Sequence, residues 1–112
     1  MRKWGKFNAK KTVVDGIKFD SKKESMRYQE LRTMQENGLI EELELQIVFE
    51  LQRAFVNGIG KKIRPITYVA DFSYLQDGNK IVEDCKGFIT PEYKLKKKLF
   101  EHMYYPLTIK ET

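Results

Sequence analysis

The chain of 112 residues has a single cysteine and a single histidine. Cys85 has no partner for an internal disulfide, as expected of a protein kept in a reducing cytoplasm. A Cys/His zinc site needs more ligands than are present. Any Cys–His or Ser–His–Asp device would have to use His102. Apolar runs extend over only a few residues, too short to span a membrane. The basic start, Met1-Arg-Lys-Trp4, is followed by no apolar stretch, so a secretory signal is not expected. No Pro/Ser linker, low-complexity tract or internal repeat divides the chain, and its length suits one domain. The 41% hydrophobic and 12% aromatic content supports a real core and excludes wholesale disorder. What is left for chemistry is carboxylates and lysines.

Those charges are unevenly placed. Lysine and arginine number 21 against 16 acids, a net charge of +5. Arg2, Lys3, Lys6, Lys10 and Lys11 supply five positive charges within the first eleven residues, where no acid occurs. Trp4 and Phe7 are interleaved among them. Residues 1–11 therefore read as a basic flexible arm ahead of a domain at 12–112. Such an arm either frays into solvent or follows phosphates with an aromatic stacked on a base. Lys94, Lys96, Lys97 and Lys98 form a second cluster. On a helix they spread over more than half the circumference, so some are simply solvated. Two basic clusters favour nucleic acid over an acidic protein as partner.

Local signals define the elements. Asp15-Gly16 is a two-residue hairpin turn between β-prone runs from Thr12 to Phe19. Ser21 and Glu24 fit a capping box for a helix carrying Met26, Tyr28, Leu31 and Met34, which Asn37-Gly38 stops. Leu43 to Gln52 alternates as a half-buried strand, with Leu43, Leu45, Ile47, Phe49 and Leu51 on one face. Asn57, Gly58 and Gly60 mark a loop. Ile63 to Leu75 is the next strand, with Pro65 near its start and Ile66, Tyr68, Ala70, Phe72 and Tyr74 sharing one face. Asp77-Gly78 turns the chain into a strand over Lys80–Lys86. Thr90, Pro91 and Glu92 open a second helix with Leu95, Leu99, Phe100 and Met103 as its apolar stripe, and Pro106 stops it. Leu107 to Lys110 is the last strand. The expected fold is α/β (α+β): a mixed four-stranded sheet flanked by helices, in the order helix, three strands, helix, strand, after an N-terminal β-hairpin.

The Asp77-Gly78 turn pairs Gln76 with Asn79. Counting back along both strands brings Asp71 directly opposite Asp84, with Cβ atoms about 5 Å apart. Lys86, two residues beyond Asp84, points to the same face. Two opposed carboxylates repel unless a cation lies between them or one holds a proton. Oxygen ligands without histidine suit Mg²⁺ or Mn²⁺. A divalent ion there would activate water and offset charge on a phosphate, with Lys86 orienting that water. The plainer alternative is a surface pair bridged to lysines. Glu24 has two readings. Local sequence favours a capping-box glutamate bonded back to the Ser21 amide, whereas a position over the sheet would make it a third carboxylate. Glu83 points to the opposite face and is either exposed or paired. Gln46 and Glu50 sit on a polar face, solvated by default, with a supporting contact to the carboxylates as the lesser alternative. Cys85 reads as a small buried apolar residue and His102 as a surface one.

Asp71 followed by Asp84-Cys85-Lys86 at a strand end resembles the PD-(D/E)XK nuclease superfamily. The element order is similar to that superfamily's common core. Val14-Asp-Gly-Ile-Lys-Phe-Asp-Ser-Lys-Lys-Glu24, Leu45-Gln-Ile-Val-Phe-Glu-Leu51, Ile66-Thr-Tyr-Val-Ala-Asp-Phe72 and Val82-Glu-Asp-Cys-Lys-Gly87 resemble a group of small phage and prophage proteins placed there. Ala70 stands where the superfamily often has proline. The resemblance implies a restriction-endonuclease-like core and a Mg²⁺- or Mn²⁺-dependent endodeoxyribonuclease. Asp71, Asp84 and Glu24 would be its metal ligands and Lys86 its catalytic lysine. Arg2, Lys3, Lys6, Lys10, Lys11, Lys94, Lys97 and Lys98 would bind DNA. It suggests phage recombination, repair or replication intermediates, such as branched DNA, as targets in the cytoplasm of a bacterial host. One small subunit offers a short footprint, so a homodimer cutting two strands is one expectation. The competing expectations are a non-catalytic basic nucleic-acid-binding module and a phage assembly protein.

Overall fold

The structure is a computed structural model, described over residues 11–112. Most of the basic arm, including Arg2, Lys3, Lys6 and Lys10, lies outside the described residues, and Lys11 is exposed. Strands β1 (Thr12–Val14) and β2 (Ile17–Phe19) form the first hairpin. Asp15 and Gly16 turn it with φ of 54° and 76°, the left-handed pair that a two-residue hairpin needs. Asp15 then accepts hydrogen bonds from Tyr28 and Arg32, which ties the hairpin to helix α1 (Lys22–Glu36). The helix ends in a Schellman arrangement. The Leu39 amide donates to the Met34 carbonyl, the Gly38 amide donates to the Gln35 carbonyl, and Gly38 has φ 77°.

The main sheet has the order β3-β6-β7-β8, built from β3 (Glu41–Gln52), β6 (Ile66–Gln76), β7 (Asn79–Asp84) and β8 (Ile109–Glu111). Strands β3, β6 and β7 are antiparallel neighbours. Helix α2 (Pro91–Met103) carries the chain over to β8, which runs parallel to β7. The core order of helix, three strands, helix, strand is as expected. An additional small hairpin, β4 (Phe55–Val56) with β5 (Lys62–Ile63), sits where the sequence reads only as a loop. Strand β7 ends at Asp84, two residues short of the expected Lys86.

Two apolar clusters form the core. Tyr93 and Phe100 of α2 pack with Leu51, Tyr68, Ala70, Val82 and Ile109. Tyr28 and Leu31 of α1 pack with Phe19, Ile40, Phe72 and Tyr74. Strict alternation would keep Tyr68, Ala70, Phe72 and Tyr74 together, yet the series divides at Asp71. Gln46, which falls opposite Asp71 between the pairs Leu45↔Phe72 and Ile47↔Ala70, has φ 53°. A left-handed residue breaks the strand's regular pleat, and the change of layer occurs at this level. The helix stripes also need correction. Met26, Leu95 and Met103 are exposed. Helix α1 meets the sheet through Tyr28 and Leu31. Helix α2 meets it through Tyr93 and Phe100, and its C-terminal cap Tyr104 continues the same face at a spacing of seven and four. Met26 and Leu95 each lie two residues from a buried tyrosine, about 200° around the helix.

Candidate catalytic site

The layer change leaves a fork between β6 and β7. Their ladder stops at Phe72↔Glu83, and the Cys85 amide donates instead to Asp71 Oδ2 at 2.8 Å. The turn residues Asp77 and Gly78, with φ of 54° and 80°, hold the register expected from the sequence, so Asp71 and Asp84 fall side by side just beyond the last pair. Asp84 is 2% exposed. Its Oδ2 accepts from the Tyr68 hydroxyl, and its Oδ1 lies 3.3 Å from Lys86 Nζ. Lys86 Nζ also sits 4.4 Å from the centre of the Tyr93 ring, a cation–π contact that fixes the ammonium beside the carboxylate.

Glu24 joins this group from α1. Ser21 caps the helix by accepting from the Glu24 amide at 3.1 Å, which is half of a capping box. The backbone donor to the Glu24 carboxylate is Asp20 rather than Ser21. The carboxylate, in a residue only 6% exposed, also reaches the sheet and accepts from Gln46 Nε2 at 3.0 Å. Gln46 is therefore part of the site rather than a solvated strand residue. Its αL conformation is what the alternation pattern could not show.

The electrostatics are unbalanced. Asp71 lies within hydrogen-bonding reach of both Glu24 and Asp84. Burial, reinforced by the charges of Asp84 and Glu24, pushes the Asp71 carboxyl up to about 7, against the lowering effect of the Cys85 amide. Burial, then the charge of Asp20, also raises Glu24. Burial and the bond to Asp84 raise the Tyr68 hydroxyl, which stays a donor. Three carboxyls thus share one small volume with Lys86 as the cation in contact. Two carboxyls within bonding reach hold a proton between them or take up a cation. Among the described residues, no three His, Cys, Asp or Glu side chains surround one point closely enough to hold a metal ion. Mg²⁺, however, is commonly held by one or two carboxylates with water and substrate phosphate completing its shell. The Asp71–Asp84 pair is an all-oxygen donor set of that kind, and Glu24 stands one step further along.

The four residues singled out as catalytic thus meet at one place. The lysines of α2 divide. Lys96 pairs with Glu92 at 3.1 Å, and Lys97 with Glu111 at 3.3 Å. Lys94, Lys97 and Lys98 line one groove with Ile89 and His102, whereas Lys96 shares another with Lys86. His102 is exposed, as expected, and Cys85 is half-buried against Thr112 Oγ1 at 3.2 Å. Tyr68, Gln46 and Tyr93 support the site without any sequence signal beyond their strand or helix position.

Residues 4–111 match the protein family described as "Protein of unknown function (DUF1064)". The chain belongs to this family. No curated protein and no solved structure matches it. In this member the match runs through every residue of the carboxylate site. No helix among the described residues is long and apolar enough to cross a membrane.

Proposed function

We propose that this chain is a Mg²⁺- or Mn²⁺-dependent endodeoxyribonuclease of the PD-(D/E)XK type. The observation that carries this reading is the meeting of Glu24, Asp71, Asp84 and Lys86 at a fork in the sheet. These carboxyls are buried at a cost in self-repulsion that a bound cation would relieve. Asp71 and Asp84 would hold the ion, and Glu24 would reach it through water. The ion would supply an activated water and offset the charge that builds on the phosphate. Lys86, held between Asp84 and the Tyr93 ring, would offer a proton donor and a positive charge to the attacked phosphate. Tyr68 fixes the rotamer of Asp84, and the Cys85 amide fixes that of Asp71. The element order of the core agrees with the resemblance read from the sequence. A place in phage recombination, repair or replication in a bacterial cytoplasm, a homodimer and a branched substrate belong to the same proposal.

Isothermal titration of Mg²⁺ and Mn²⁺ into wild type and Asp84→Asn, with cleavage assays on plasmid and four-way-junction DNA, tests it. Metal binding and cutting should both be present in wild type and both be lost in the variant. A wild type that takes up no metal in the presence of DNA and cuts nothing would overturn the proposal.

The second reading, a basic nucleic-acid-binding module without catalysis, is favoured by the absence of a three-ligand cluster among the described residues. Asp71→Ala separates the two. Loss of cleavage with DNA binding kept supports the nuclease, while a protein that binds but never cuts supports the module.

A further inference from the structure

The β4–β5 hairpin has a charge pattern that the catalytic site does not use. Residues 53–64 contain Arg53, Lys61, Lys62 and Arg64 and no acid. All four are exposed, and none has a side-chain bond or ion pair with a described residue. Strands β4 and β5 pack chiefly on each other, so the hairpin stands off the body of the sheet. Its tip is nonetheless firmly built. The Asn57 side chain accepts from the amides of Ile59 and Lys61, the Asn57 amide donates to the Lys61 carbonyl, and Gly60 takes φ 83°. The product of this order is an apolar side chain held out into water, since Ile59 is 88% exposed. Phe55 and Val56 are exposed at its base.

We infer that this hairpin is a DNA-gripping arm, with its four cations on phosphates and Ile59 pressed against a base step at the tip. Basic ribbons that carry an apolar wedge bind in this manner, and the wedge partly unstacks the step it enters. The position suits a substrate of the proposed nuclease, on which the inference rests for its ligand. Ile66, where β6 begins, is five residues from Asp71, or about 16 Å of strand. That distance corresponds to about five base pairs. A groove of about 350 Å³ lies along the way, lined by Thr67, Val69, Thr90, Lys86 and Lys96, with Glu92 paired to Lys96. Among the described residues, the free cations of this surface are therefore those of the hairpin. Four unpaired cations without an acid favour a polyanion over a protein partner.

The test uses the full chain in EDTA, where cutting is blocked, and a duplex and a four-way junction carrying 2-aminopurine. Changing Arg53, Lys61, Lys62 and Arg64 together to Ala should make the plot of log Kd against log salt shallower by about 3 to 4, at about 0.9 per phosphate contact, and weaken binding at least about tenfold. Ile59→Ser should keep the salt slope and abolish the rise in 2-aminopurine fluorescence that marks unstacking. Unchanged slope and affinity in the fourfold variant overturn the inference, as does wild-type binding confined to anionic lipid vesicles. Cleavage in Mn²⁺ is scored separately. A wild type that binds through the hairpin but never cuts removes the nuclease and leaves the gripping arm, while one that cuts equally well without the four cations removes only the arm.

Discussion

Glu83 and Asp84 are neighbours in sequence, both fully buried, and they live in opposite electrostatic worlds. Glu83, with no exposed surface, receives Arg27 at 2.6 and 2.8 Å, a bond from the Tyr74 hydroxyl and the more distant Lys110 at 4.0 Å. Burial alone would raise its carboxyl, but Arg27 and Tyr74 outweigh it and hold the group below the usual carboxylate range. On the other face, Asp84 shares its surroundings with Asp71 and Glu24, and both of those are raised. One strand thus carries a carboxylate bonded by Arg27 that locks α1 to the sheet, and a second one, paired with Lys86, that two further carboxyls crowd. A buried carboxylate crowded by two others is relieved by a shared proton or by a cation from outside the chain. That contrast is the physical basis for the proposal that Asp84 serves function and Glu83 structure.

The largest effects should come from removing one member of either side. On the functional side, Asp71→Asn and Asp84→Asn should each lower DNA cleavage by about a thousandfold, the rate equivalent of several kcal/mol of lost charge stabilisation. The fold, followed by circular dichroism, should persist. On the structural side, Arg27→Ala leaves Glu83 buried without its main partner and should cost about 3 kcal/mol in urea unfolding at pH 7. If Arg27→Ala is instead silent in stability and Asp84→Asn unfolds the chain, the two faces have been assigned the wrong way round.

The pH dependence sharpens the same contrast, because the two sides have opposite signs. Glu83 is lowered on folding, so its contribution is present above the ordinary glutamate pKa and is lost as pH falls below it. Asp71 is raised to about 7, so the folded state holds a proton that the unfolded chain has already released. Its contribution is complete below about pH 4 and disappears as pH rises through 7. Asp71→Asn should therefore stabilise the metal-free protein by about 1–2 kcal/mol at pH 8, after allowance for solvent and shared protons, by less than half as much at pH 5, and by almost nothing near pH 3. Millimolar Mg²⁺ should stabilise wild type at pH 8 and leave Asp84→Asn unchanged. A wild type whose unfolding midpoint is flat from pH 5 to 8 would sink this prediction.

How much of this contrast could be read in the sequence depends on how local its causes are. The Asp77-Gly78 turn has one strong solution, so the register that sets Asp71 beside Asp84 follows from counting. Ser21, Thr90, Pro91 and the Asn37-Gly38 stop are equally local, and the helices begin and end where those residues dictate. The direction of the Glu24 side chain is not local. A capping box and a site carboxylate share the same four residues, and only the proximity of Gln46, 22 positions away, decides between them. The balance of Glu83 by Arg27 spans 56 positions and has no periodic signal. The division of the even-numbered residues of β6 at Asp71 was hidden for a similar reason. It depends on a left-handed residue in the neighbouring strand, at a glutamine whose identity gives no warning.

The smallest effect tests that left-handed residue. Strand β3 holds two, Glu42 at φ 56° and Gln46 at φ 53°. Both carry the steric cost of a Cβ in the αL region, and glycine relieves it at some cost in chain entropy. Glu42 is exposed and makes no side-chain bond within the described structure, so Glu42→Gly should stabilise by about 0.5 kcal/mol. Gln46→Gly gains the same relief but loses the bond to Glu24, worth about 1 kcal/mol, and should come out neutral or slightly destabilising. The difference between the two variants isolates the Gln46–Glu24 bond from the backbone term. Because the bond is stronger to an ionised carboxylate, and burial raises the Glu24 carboxyl, that difference should widen as pH rises. Equal effects at both positions whatever the pH would mean that Gln46 serves only the bend in β3 and contributes nothing to the carboxylate site.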